Sequence, residues 1–108
     1  MSATEGGDVL QGVRGLVMAE AVRVTLHANE EMVEEGISLD EVLEAITVGS
    51  VLEDYPDHKR GACCLIGGNT RNGRHIHVVC TTAEPVLVII TVYEPKQPKW
   101  VTPTRRRR

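Results

Sequence analysis

A length of 108 residues suits one hydrophobic core and leaves no room for a second domain. Hydrophobic residues at 42% and charged residues at 25% are ordinary globular values, which excludes a wholly disordered chain, and no apolar run approaches the roughly 18 residues of a membrane span. Charge is uneven: residues 1–60 carry 13 acidic and 4 basic side chains, residues 61–108 carry 2 and 8, and half of those eight are the run Arg105 to Arg108. Without that run the basic half is too weakly charged for a broad phosphate-binding patch, and the run reads as a solvated end.

With no Phe, one Trp and two Tyr, the core must be filled by aliphatic side chains, and the many valines suit a pleated sheet. The start MSATEGG has neither the basic nor the apolar stretch of a signal peptide, so a cytoplasmic protein is expected. Cys63, Cys64 and Cys80 fit that compartment as small buried thiols.

Asp8 is placed to cap a first helix whose apolar positions are Val9, Val13, Leu16 and Val17, weakened by Gly12 and Gly15. Val22 to Leu26 alternates as a short strand would. Thr25 then offers an N-cap for a helix from about His27 to Glu35, which Gly36 ends. Ser38 and Glu41 form a capping box before Leu39, Val42, Leu43 and Ile46, an amphipathic helical spacing.

From Gly49 the pattern changes to strands: Val51 to Tyr55, Ala62 to Ile66, His75 to Thr81, and Val86 to Tyr93, the last apolar on both faces. Asn72 and Gly73 signal a hairpin, and the segment TAEP supplies the next reversal. Prolines at 95, 98 and 103 oppose regular structure afterwards, and Trp100 is expected to fold back on the core. The expectation is an α+β domain over residues 8–101, with two to three N-terminal helices packed on a three- to four-stranded antiparallel sheet. Residues 1–7 and 102–108 are expected to be flexible ends.

Four histidines, His27, His58, His75 and His77, are the candidates for proton transfer near neutral pH. His75 and His77 share a strand face, but no third ligand follows at metal-site spacing, so no metal or cofactor is expected. His27 lies in the first turn of its helix, where the exposed N–H groups favour the neutral imidazole while Glu30 and Glu31 oppose it. Strict alternation puts Thr91 and Tyr93 on the strand face shared with Leu87 and Ile89, a polar end to an apolar row. Arg71 and Arg74 flank the hairpin turn, where an anion between them would relieve their repulsion.

The segments HANEEMVEEGISLDEVLEAI, GRHIHVV, IITVYEP and KW resemble, in order and separation, the domain of unknown function 4258 family over about residues 8–101. That family is in turn similar to the RelE and ParE toxin superfamily, so the resemblance implies a RelE-like fold and, for RelE-type members, RNA cleavage. On this resemblance the site residues are His27, Arg74, His77, Thr91 and Tyr93. Glu31 and Glu35 stand where relatives often carry arginine, and would repel a phosphate backbone. An ideal strand also puts Arg74 and His77 on opposite sides.

Two functions follow as expectations. One is a metal-independent ribonuclease of RelE-like type, in which His27 and His77 approach one cleft with Tyr93. The other is a non-catalytic relative that binds a protein partner, such as an antitoxin, through the acidic helices. A helix-turn-helix DNA reader ranks below both, because the polar face of the Leu39 to Ile46 helix carries Asp40, Glu41 and Glu44. No membrane partner is expected.

Overall fold

The computed structural model describes residues 4–83, 85–96 and 100–106. Three helices come first: α1 (Thr4–Met18), α2 (Leu26–Glu35) and α3 (Leu39–Val48), with β1 (Val22–Val24) between the first two. Four strands follow, β2 (Ser50–Tyr55), β3 (Cys63–Asn69), β4 (His75–Thr81) and β5 (Leu87–Tyr93), and then a short ribbon of β6 (Trp100–Thr102) and β7 (Arg105–Arg106). No described helix is long and apolar enough to cross a membrane.

The local signals in the sequence act as expected at α2 and α3. The Thr25 hydroxyl accepts from the Ala28 N–H, and Gly36, at φ 65°, closes α2 in the left-handed conformation that costs glycine least. Ser38 and Glu41 form the reciprocal capping box of α3. At the other end of α3, Arg14 of α1 donates to the carbonyls of Ile46 and Gly49, covering acceptors left over by the helix. α1 starts at Thr4, so Asp8 lies within it and not at its cap.

The class is α+β, but the sheet is five-stranded and mixed, in the order β1-β5-β4-β3-β2. β2 through β5 form the expected antiparallel meander. β1 instead pairs parallel with β5, Val22 to Val24 opposite Leu87 to Ile89. Hairpin logic constrains only consecutive strands, and β1 reaches β5 after the chain has passed through two helices and three strands. The flexible ends expected from sequence also carry structure where they are described: residues 4–7 are helical and Arg105–Arg106 pair with β6.

β1 covers only the first part of the β5 edge, and α2 serves the rest. The Ile89 and Ile90 carbonyls accept from Thr25, the Val92 N–H donates to Glu31, and the Glu94 N–H donates to Glu35. An open strand edge needs such partners, and these two glutamates supply charge-assisted ones. Helix-side packing then buries Val13, Met32, Val42, Ile46, Ile66, Ile76, Val78, Leu87, Ile89 and Val92 in one aliphatic core.

Close approach of α3 to β3 depends on glycine. A Cβ on Gly68 would lie 2.2 Å from the Ala45 carbonyl oxygen, a backbone atom that cannot swing away. Gly15, by contrast, is exposed on α1 with open space around it. Gly68→Ala is therefore expected to destabilise the fold by about 1–3 kcal/mol through overpacking. Gly15→Ala should stabilise it by about 0.5–1 kcal/mol through helix propensity. Urea unfolding of the two variants checks both signs.

Candidate functional site

β5 contains one residue more than its partner: Val79 pairs with Thr91 and Cys80 with Ile89, leaving Ile90 as a bulge. The bulge reverses the side-chain alternation. Leu87, Ile89 and Val92 face the helices, while Thr91 and Tyr93 emerge on the opposite face, against the expectation that Thr91 and Tyr93 share a face with Leu87 and Ile89. A second bulge, at Leu52 of β2, brings Glu53 opposite Leu65 and Tyr55 opposite Cys63.

On that far face a row of paired residues crosses the sheet: Ser50, Gly67, His77 and Tyr93. A Cβ on Gly67 would approach the His77 ring to 3.3 Å, so glycine leaves room for the imidazole. Nδ1 of His77 lies 3.2 Å from the Tyr93 hydroxyl, and Nε2 meets the Pro103 carbonyl oxygen. A carbonyl can only accept, so Nε2 carries the hydrogen, and in the neutral ring Nδ1 accepts from Tyr93 O–H. Trp100 stands edge-on to His77, with ring centroids 4.4 Å apart.

The ribbon that carries Pro103 and Trp100 is held by charge. Arg106 donates from Nε and Nη2 to both oxygens of Glu53 at 2.7 and 2.9 Å, and its guanidinium lies 4.7 Å from the Trp100 ring centroid. The Tyr55 hydroxyl completes the group by donating to Glu53. Hydrogen bonding to Arg106 holds the Glu53 carboxyl below the usual carboxylate range, while burial and that carboxylate push Tyr55 up to about 12. Burial also raises Tyr93, and it lowers His77 against the opposing pull of the Pro103 carbonyl.

Trp100 is 3% exposed, and its indole N–H has no hydrogen-bond partner in the structure. Beside the pair, Ser50, Gly67, Gly68, Asn69, His75, His77, Pro103 and Thr104 line much of a cleft of about 410 Å³.

Of the five residues expected to make a site, the structure brings two into direct contact. His77 and Tyr93 touch, and Thr91 lies on the same face opposite Val79. Arg74 is held elsewhere: it donates to Glu94, Glu41 and the Gly36 and Glu35 carbonyls. The anion that Arg71 and Arg74 call for is supplied by the chain's own carboxylates, with Glu44 serving Arg71. His27 is exposed on α2 and pairs with Glu31 at 3.4 Å, and the cleft beside His77 is not lined by it. His27 approaches this region only through Glu31, which lines a smaller cleft with Tyr93, Glu94, Lys96 and Trp100.

Glu53, Tyr55 and Arg106 were missed by sequence reasoning. Their only signal was a Glu and a Tyr two apart on a strand, and the bulge and the returning ribbon that assemble them leave no periodic trace. Among the described residues no group of three or more His, Cys, Asp or Glu is placed to hold a metal ion.

These features define a small α+β domain in which a buried histidine and a half-buried tyrosine pair beneath a ribbon that follows the sheet. The chain belongs to the family described as Domain of unknown function (DUF4258), which matches residues 24–94 and so contains the pair but not α1 or the ribbon. No curated protein and no solved structure matches the chain.

The depressed pKa of His77 has a signed consequence. The unfolded histidine, with a pKa near 6.5, binds a proton more readily than the folded one, so stability rises with pH between the folded value and about 6.5 and is fully present above it. Acidification through that window is expected to cost the wild type stability that His77→Gln does not lose. Urea unfolding of both proteins from pH 7 to pH 5 measures the difference, and the His77 ring should titrate below 6.5 by NMR.

Proposed function

We propose that this domain processes RNA, in the manner of RelE-like ribonucleases, through proton transfer by His77 and Tyr93. The observation that carries the reading is the 3.2 Å contact of the Tyr93 hydroxyl with Nδ1 of a histidine whose Nε2 bears the other proton. A neutral imidazole so wired can accept one proton and release another. As a ribose 2′-oxygen attacks the neighbouring phosphorus, its proton passes to the Tyr93 oxygen and the Tyr93 proton passes to Nδ1. The Nε2 proton passes to the departing 5′-oxygen as the P–O5′ bond breaks, leaving a 2′,3′-cyclic phosphate.

The roles assigned by resemblance narrow accordingly. Tyr93 takes the place of the second histidine in this exchange, and His27 is left pairing with Glu31. Arg74, saturated by carboxylates and carbonyls, is a structural clamp between α2, α3 and the end of β5. Thr91 is left on the same face without a chemical step.

Wild-type protein is expected to cleave RNA in the presence of a metal chelator, and His77→Ala and Tyr93→Phe should each lower the rate about 10²-fold or more. Failure of both the wild type and its Arg106→Ala variant to cut any RNA, translating ribosomes included, rejects the reading.

A second reading has its own observation. Leu26 and Val33 on α2 are 74% and 76% exposed, seven residues apart and therefore on one helical face, with Glu30 and Glu34 beside them. That face suits a protein partner such as an antitoxin, whose surface would combine apolar and basic groups. Glu31 and Glu35 belong to the β5 edge instead, so the discriminating change is Val33→Glu, which should abolish retention of such a partner in pull-downs from the native host and leave the fold intact.

A further inference from the structure

We infer that the ribbon Trp100–Arg106 is a displaceable cover seated in the substrate's place over His77 and Tyr93, an autoinhibitory contact that rests on the proton-transfer reading of that pair. The Pro103 carbonyl occupies the hydrogen-bond position at Nε2 that a substrate oxygen must take before it can receive the proton. The Trp100 indole fills the neighbouring position at 4.4 Å, where the flat ring of a base would pack in a nucleic-acid complex. With both ring nitrogens engaged and the residue 1% exposed, His77 cannot meet a substrate while the ribbon is down.

The attachment of the ribbon is the kind that can be released. β6 and β7 pair with each other as a separate two-stranded sheet, and among the described residues no ladder of main-chain hydrogen bonds joins them to the five-stranded one. Two strands alone are marginally stable, so the ribbon depends on side-chain anchors. These are the Trp100 packing, the Pro103 carbonyl and the Arg106 to Glu53 pair, which lies at the surface with 35% and 27% of the two side chains exposed.

The buried indole N–H adds no hydrogen bond of good geometry to the closed state, the Tyr93 hydroxyl being the acceptor within its reach. The cleft lined by His75, His77, Pro103 and Thr104 gives an RNA strand a route to the edge of the ribbon. His77 and Tyr93 lie inside the residues 24–94 matched by the family, and the ribbon lies outside that range.

The full-length protein and its Arg106→Ala and Glu53→Gln variants test this directly. Carbethoxylation by diethyl pyrocarbonate, followed by mass spectrometry of each histidine peptide, reports access to His77 with exposed His27 as internal control. Amide hydrogen exchange at Ile76 and Val78 reports opening of the core. Loss of the latch is expected to speed modification of His77 about fivefold or more, the change in opening equilibrium that a charge-assisted bidentate pair supports, with His27 and the two core amides unchanged. The same variants should cleave RNA faster than the wild type.

An unchanged His77 rate overturns the inference. So does a rise that only tracks Ile76 and Val78 exchange, since His77 would then be reached by unfolding, and this comparison stays decisive if a variant is destabilised. Exposure of His77 without RNA cleavage by any of the three proteins would leave the cover standing and reject the RNA reading alone.

Discussion

One extra residue in β5 decides on which side of the sheet the polar end of that strand emerges. With Ile90 bulged out, Leu87 and Ile89 stay beneath the helices and Val92 joins them, while Thr91 and Tyr93 turn to the far face. A strand of strict alternation would have carried Tyr93 into the aliphatic core, away from His77. The hydrogen bond between the two rings, the seat of Trp100 and the position of the ribbon all follow from that half-turn of the backbone.

The same strand explains the acidic helices. β5 lies second from the edge of the sheet, and because the edge strand β1 runs out after three residues, the part of β5 beyond Ile89 would otherwise be open to pairing with another chain. Glu31 and Glu35 accept the edge N–H groups, Glu41 and Glu94 hold Arg74, and Glu44 holds Arg71. Much of the negative charge of the N-terminal half is thus consumed internally against backbone N–H groups and the arginines of the hairpin. The charge asymmetry of the sequence is therefore a poor guide to the partner, because it records how the two halves bind each other.

On the far face the chemistry is confined and desolvated. Burial favours neutral His77 and neutral Tyr93, so the shared proton rests on the Tyr93 oxygen and an ion pair between the two is disfavoured. Glu53 remains ionised because Arg106 faces it, and Arg106 in turn lies over Trp100. The ribbon thereby ties a strongly charged contact of this face to the covering of its histidine.

By itself the sequence determined what depends on neighbours a few residues apart. The caps at Thr25 and Ser38, the left-handed stop at Gly36, the helical spacing of Leu39 to Ile46, the turn at Asn72 and Gly73, and the order of strands β2 to β5 were all legible, because each is set by local sterics and hydrogen bonding. The burial of Trp100 was legible too, since a core without Phe has few other large side chains to fill it. Parallel pairing of β1, the two bulges, the diversion of Arg74 to carboxylates and the convergence of Glu53, Tyr55, His77, Tyr93 and Arg106 were decided only by the tertiary structure. Each brings together groups far apart in the chain, and a one-residue bulge reverses every facing after it while leaving composition and hydrophobic spacing almost untouched.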